Sequence, residues 1–188
     1  MSIPHLLGTT LATLPASIPY LAIPAGTQAP PLTGTGLKVG LVWQGNPQHD
    51  ADKWRSLPLA SFAPLRTVPN VTWYSLQCGA GKEEQFKAPW AGGIIDLSPY
   101  LTDFAVTAAV MADLDLVISV DTASAHLAGA LGRPVWVPIH RGNDWRWLHG
   151  RDDSPWYPTM RLFRQQPPRR WEPALEAMAV VLAEFAAR

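Results

Sequence analysis

The segment that organises the chain runs from Leu114 to Val137, where a short apolar run, a small-residue run and a second apolar run follow one another. Leu116-Val117-Ile118-Ser119-Val120 is apolar and rich in β-branched residues, as expected of a strand buried on both faces. Asp121 comes next, in the position of a helix N-cap ahead of Thr122-Ala123-Ser124-Ala125-His126-Leu127. Gly132 stands where a left-handed C-cap would, and Pro134 opens Val135-Trp136-Val137. Strand, helix and strand in close succession make a βαβ crossover, hence parallel strands with helices packed on the sheet. On that helix Thr122 and His126 are four apart and share a face, while Ala123, Leu127 and Ala130 are expected to face the sheet.

The same reading extends in both directions. Lys38 to Trp43 is a buried-strand run ending in the turn signature Gln44-Gly45-Asn46-Pro47. A polar loop then carries His49, Asp50, Asp52, Lys53 and Arg55. Leu57 to Leu65 is expected to be a helix, with Pro58 in its first turn and Leu59, Phe62 and Leu65 at helical spacing. Val71 to Leu76 is a second strand and Gly93 to Leu97 a short third one. Leu101 to Leu114 is a helix capped by Thr102 or Asp103, with Phe104, Ala108 and Met111 as its buried stripe. After Val137 the period is lost: His140 to Tyr157 is a long loop rich in Trp, Asp, Arg and Gly, of the kind that carries function. Met160 to Phe163 is expected to be an edge strand, and Trp171 to Ala187 an amphipathic closing helix. The sum is an α/β fold, a Rossmann-like doubly wound parallel sheet in three layers. Residues 1–36, interrupted by Pro15, Pro19, Pro24, Pro30 and Pro31 and ending in Gly-Thr-Gly, form a linker or lead-in to a domain at 37–188.

Composition narrows the function classes. The 188 residues are 47% apolar and 16% charged, enough for a sizeable core. The formal net charge is zero, and no basic stripe suggests a nucleic-acid partner. One cysteine, Cys78, excludes an internal disulfide and a Cys-based zinc site; after a strand it is expected to be a small core residue. No run is long enough for a transmembrane helix, and the N-terminus lacks a secretory layout, so a cytoplasmic setting is expected. Nine tryptophans imply a large aromatic core or stacking surfaces.

Ligands of such sheets gather at the carboxyl ends of strands, beside helix N-termini. Two polar loops open there, 44–56 and 121–126. The second offers backbone amides for phosphate, and Lys53 and Arg55 of the first can neutralise the same phosphates. A pyrophosphate between them is the natural ligand; alternatively Asp121 only caps its helix and the two cations are solvated. Asp121 repels phosphate but can accept hydrogen bonds from sugar hydroxyls. The loop from Arg141 to Tyr157, with Asn143, Asp144, Trp145, Arg146, Trp147, Asp152, Asp153 and Trp156, can bind a base and hydroxyls or fold on itself as a structural knot. GxGxxG, Walker A, HExxH and GxSxG sequences are absent, and no metal ligand set stands out.

The runs VGLVWQGNP, LDLVISVDTASAHLAGALGRPVWV, DWRW and SPWYPTMRLFRQ resemble the C-terminal half of bacterial glycosyltransferases of the heptosyltransferase type (family 9), in the version fused behind tetratricopeptide repeats. The resemblance covers about residues 37–186, with D-T-A-x-x-H and PWYP its most specific parts. It implies one half of a GT-B arrangement that binds a nucleotide-diphosphate sugar, for heptosyltransferases an ADP-heptose, as substrate and without metal or other cofactor. Carried over, Asp121 would meet the donor sugar hydroxyls, and Thr122 and Ala123 amides the diphosphate. Lys53 or Arg55 would be the phosphate cation and His126 the motif histidine, with Gln44 and Asn46 completing the donor-binding set. The acceptor half and its catalytic base have no counterpart here, so the implied partners are an upstream acceptor domain or a homodimer mate, and the catalytic residues stay unassigned. The rival expectation is a non-catalytic interaction module on the same fold; an unrelated phosphate-ligand enzyme is a third.

Overall fold

A computed structural model describes residues 3–87, 89–142, 144–167 and 169–187. Six strands form one sheet: β1 (Leu37–Val42), β2 (Val71–Ser75), β3 (Ile95–Asp96), β4 (Leu116–Ser119), β5 (Val135–Ile139) and β6 (Met160–Arg164). Their spatial order is β3-β2-β1-β4-β5-β6 and every pairing is parallel. The order reverses between β1 and β4, so the loops leaving these two strands diverge and leave a crevice at the carboxyl edge. The helices are α1 (Ile3–Leu6), α2 (Asp52–Arg55), α3 (Ala63–Arg66), α4 (Phe104–Ala112), α5 (Ala123–Ala130) and α6 (Glu172–Ala186). None of the described helices is long and apolar enough to cross a membrane.

Strand periodicity sorts the core into two layers. Val39 and Leu41 of β1, Leu116 and Ile118 of β4, and Trp136 of β5 meet Leu65 of α3 and Leu175, Met178 and Leu182 of α6. The alternate residues Val42, Val117, Val135 and Val137 meet Val110 and Met111 of α4 and Ala125 and Ala128 of α5. Leu41 and Ile118 are fully buried, and truncating either to Ala is expected to cost about 2–5 kcal/mol. The doubly wound α/β reading of the sequence is therefore what the chain adopts.

Local differences have physical reasons. The helix expected at 57–65 is instead a 3-10 turn, Leu59–Phe62, followed by the single turn of α3. Pro64 has no N–H to return to the preceding turn, so the helix restarts there. The third strand shrinks to two residues, Ile95–Asp96. Asp103 rather than Thr102 caps α4, accepting from the Val106 N–H at 2.9 Å. Phe104 falls in the first turn at the sheet edge and is 62% exposed, not part of the buried stripe. Cys78 is exposed rather than a core residue, because β2 has already ended at Ser75. On α5, Ala130 is buried and Leu127 packs against the core as expected, whereas Ala123 is exposed and Ala125, Ala128 and Gly129 complete the buried face.

The lead-in touches the sheet at several points. Tyr20 and Leu21 N–H groups both donate to the Ala130 carbonyl at the end of α5, at 3.0 and 3.3 Å. Ala29 and Leu32 pack on the α4–α5 layer, Tyr74 Oη donates to the Thr33 carbonyl, and Thr72 Oγ1 donates to Thr35 O at 2.6 Å. By contrast Ile3, Leu6, Leu7 and Leu11 are exposed.

Candidate functional site

A cavity of about 600 Å³ opens at the carboxyl edge, between the loops after β1 and β2 and the N-termini of α4 and α5. Gln44, Gly45, Asn46 and Arg55 line it from the first loop, and Thr122, Ala123 and Ser124 from α5. Leu76, Leu101 and Phe104 make its apolar end.

The two helix ends differ. The Asp103 carboxylate already occupies the N-terminus of α4. Thr122 takes the N-cap position of α5 but makes no side-chain cap bond; its hydroxyl pairs with Ser119 Oγ at 2.9 Å. The first amides of a helix have no intrahelical acceptor, so the cavity-facing start of α5 is a place for an anion.

Arg55 stands across from it. Its Nε donates to Asp52 Oδ1 at 3.3 Å and its Nη1 to the Asp121 carbonyl at 2.8 Å. Asp52 is buried and also accepts from Ser56 Oγ at 2.8 Å, while Ser56 Oγ accepts from the Gly45 N–H at 2.8 Å. The cation is thereby fixed by a carboxylate that is itself tied to the loop. Lys53 is not among the lining residues: its exposed ammonium lies 5.2 Å from the Trp54 ring centroid.

Gln77, whose part the sequence did not disclose, holds the two loops together. Its Oε1 accepts from the Trp43 and Gln44 N–H groups at 3.1 and 3.0 Å, and its Nε2 donates to Gln44 O at 3.0 Å and Ala80 O at 2.9 Å. Trp43 Nε1 adds a bond to Gly81 O at 3.2 Å. Gly81 has φ +78°, and a Cβ there would lie 2.0 Å from Gln44 Oε1, so only glycine suits this turn. A Gln following a strand is a common composition with many uses, and only the three-dimensional path of the loops reveals this clamp.

Asp121 and His126 lie beside the cavity rather than among its lining residues. Instead of capping α5, the Asp121 carboxylate accepts from Trp147 Nε1 at 2.9 Å through Oδ2, with His126 Nε2 3.7 Å from Oδ1. His126 stacks on Trp147, with centroids 5.2 Å apart and planes 20° from parallel, and its Nδ1 is 3.1 Å from Tyr157 Oη. The Trp-rich loop is thus mostly a knot: Trp156 Nε1 donates to Arg146 O at 3.0 Å and Trp145 meets Trp156 edge-on. Trp147 and Tyr157 nevertheless reach the motif residues. Asn143 lies outside the described residues.

Burial alone would raise the Asp121 carboxyl, but the polar contacts of His126 and Trp147 and the charge of Arg55 more than offset it, so it titrates below its usual range. At 3.7 Å His126 is a polar neighbour, whereas the Trp147 N–H is a full hydrogen bond. His140, at the end of β5, is pushed down by burial, opposed by Asp121 and reinforced by Arg55. The Cys78 thiol is pushed up by burial and by Asp96, which argues against a nucleophilic role. Among the described residues no group of three His, Cys, Asp or Glu side chains could hold a metal ion.

The arrangement can therefore take a diphosphate between α5 and Arg55, with hydroxyl acceptors nearby. Residues 79–137 match the model of glycosyltransferase family 9 (heptosyltransferase). That stretch contains α4, β4, α5 and most of β5, and the N-terminal residues of α4 and α5 line the cavity. Protein FlbA of Caulobacter vibrioides is 35% identical over 162 residues, which cover 82% of this chain and 26% of FlbA. The E. coli ADP-heptose lps heptosyltransferase II structure superimposes with a TM-score of 0.57 at 16% identity, over 83% of this chain and 47% of that one. E. coli heptosyltransferase WaaC with ADP gives 0.52 at 18% identity, over 81% of this chain and 46% of that one. The chain thus spans about a quarter of FlbA and about half of the heptosyltransferases, and has the heptosyltransferase-like fold of one GT-B half.

Proposed function

We propose that this chain is the nucleotide-sugar-binding domain of a heptosyltransferase-like glycosyltransferase. The observation that carries the reading is the placement of Arg55, which lines the cavity opposite the uncapped start of α5 while its Nη1 is bonded to Asp121 O. The diphosphate of a donor sits between Arg55 and the Thr122 and Ala123 amides, within reach of Gln44 and Asn46. Asp121 Oδ1, whose polar neighbour among the described residues is His126 at 3.7 Å, accepts from donor sugar hydroxyls. Lys53 contributes to the field at the rim rather than to contact. The structure of E. coli heptosyltransferase WaaC is one with ADP, and the other E. coli structure is that of an ADP-heptose heptosyltransferase; both support an adenine diphosphate here.

Sugar transfer also needs a held acceptor and a base for its hydroxyl. We assign these to a further domain, in keeping with the much greater length of FlbA, and assign the longer protein to the tetratricopeptide-fused kind and to the cytoplasm. The donor is a substrate, and no metal is assigned to the site.

The test is a thermal shift with ADP, UDP, GDP, CMP and an ADP-sugar at millimolar concentration. A ligand at about 100 times its Kd adds about 2.7 kcal/mol, a shift of roughly 5–10 °C for a domain of this size. A selective diphosphate response supports the reading. A second reading, an interaction module, draws on the exposed Tyr100, Phe104 and Trp145. Silence across the panel, together with a dimer that covers those side chains, would favour it.

A further inference from the structure

We infer that Tyr20 of the lead-in is a positioning residue of the site, acting through Tyr157 to hold His126 in the tautomer whose Nε2–H faces Asp121. The argument rests on proton direction along one chain of groups. Tyr20 is anchored by its own N–H and that of Leu21 on the Ala130 carbonyl, which places its ring beside α5. Its hydroxyl donates to Tyr157 Oη at 3.4 Å. Tyr157 has a single hydroxyl proton, and its other hydrogen-bonding neighbour among the described residues is His126 Nδ1 at 3.1 Å. With Tyr20 donating, Tyr157 gives that proton to Nδ1, and the ring must carry its own proton on Nε2. Nε2 is the nitrogen that faces Asp121 Oδ1, 3.7 Å away. The opposite tautomer would turn a lone pair toward the carboxylate.

The surroundings enforce this order. Tyr157 is held against α5 by Gly129, where an added Cβ would come 2.6 Å from the Tyr157 ring. Trp147 stacks on the other side of the imidazole. Burial pushes the Tyr157 phenol upward, so it remains a proton donor throughout the ordinary range. The other charged or titratable groups that act on this cluster are Arg55 and His140 beside Asp121 and Arg146 beside Tyr157. The lead-in thus belongs to the site: when it docks, Asp121 faces an N–H, and when Tyr20 leaves, the tautomer is no longer fixed.

The experiment reads the His126 ring ¹⁵N shifts in the ligand-free full chain at alkaline pH, where an imidazole is neutral. The expected result is predominantly Nε2–H in the wild type and a mixture with a substantial Nδ1–H share in Tyr20→Phe. Tyr20→Phe keeps the ring and both backbone donors, so its thermal midpoint should stay close to wild type. Leu21→Ala, which leaves the hydroxyl in place, should keep the wild-type tautomer. Wild-type ring shifts in Tyr20→Phe, or an Nδ1–H wild type, would overturn the inference. Its functional consequence rests on the proposed donor site and appears as a larger loss of affinity for an ADP-sugar than for ADP. Because the ring shifts are read without ligand, a protein that binds no nucleotide refutes the donor reading while the tautomer result stands on its own.

Discussion

Arg55 and Asp121 are 66 positions apart in sequence, yet the Arg55 guanidinium donates to the Asp121 carbonyl at 2.8 Å. This bond joins the loop after β1 to the loop after β4 across the point where strand order reverses. One side chain therefore closes the crevice and places a cation in it. Arg55→Ala should lose both roles, weakening diphosphate binding by roughly 10- to 100-fold, as expected for about 1.5–3 kcal/mol from charge-assisted bonds. Arg55→Lys should recover little, because an ammonium cannot hold Asp52, Asp121 O and a phosphate with one fixed fork. Titration calorimetry with the best nucleotide of the panel checks both.

Trp147→Phe removes the donor to Asp121 Oδ2 while keeping an aromatic ring against His126. A buried carboxylate oxygen without its partner costs about 1–3 kcal/mol, with a cavity cost in addition. The pH dependence has a definite sign. The folded Asp121 carboxyl titrates below the usual carboxylate range. Its stabilisation is therefore present above that range and is lost as pH falls through the lowered range of the folded state. Thermal midpoints followed from neutral to acid pH should fall more steeply in the wild type than in Trp147→Phe. Equal slopes would mean that the Trp147 bond does not hold the carboxylate in its charged form.

Gln77→Ala should loosen the two loops together. It strips partners from the Trp43, Gln44 and Ala80 backbone groups, each buried polar group left unpaired costing about 1–3 kcal/mol. A net loss of about 3 kcal/mol would lower the midpoint by roughly 6–12 °C. Gln77→Glu keeps the acceptor for Trp43 and Gln44 but loses the donor to Gln44 O and Ala80 O, and should fall between. A midpoint for Gln77→Ala within a degree or two of wild type would remove the clamp from the account.

What could be read from residue order follows from how far each interaction reaches along the chain. The buried strands at Leu41 and Ile118 are continuous apolar runs, and their period survives any packing, so the parallel sheet was foreseeable. The loops after β1 and β4 were placed on one edge by the same logic. Side-chain direction was not foreseeable. Asp121 carries every mark of an N-cap, yet Trp147, 26 positions later, draws its carboxylate away from α5. Lys53 and Arg55 are equivalent as cations in a loop, and only the buried Asp52 distinguishes them. Phe104 fits a helical stripe, but a first-turn residue at the sheet edge has no layer to meet. The contacts of Tyr20 with Tyr157, 137 positions away, leave no local trace in a proline-rich lead-in.

Cys78 offers a direct reporter of the cavity, because it lines the space and is also exposed. Partial burial of its sulfur and the charge of Asp96 push the thiol above the usual cysteine range, with Lys82 acting in the opposite sense. Little thiolate is then present at neutral pH, so alkylation by iodoacetamide should be slow there and should accelerate with pH past the range of a free cysteine. A nucleotide seated against Gln44, Arg55 and Thr122 shares the same cavity and should slow that alkylation at least several-fold at saturation. Mass spectrometry of the intact chain gives the rate at each nucleotide concentration, and the midpoint of protection gives Kd. Protection by a diphosphate in the wild type and its absence in Arg55→Ala would place the ligand between the two loops. Equal rates with and without every nucleotide, in a protein whose midpoint nevertheless rises on nucleotide addition, would move the ligand to another surface.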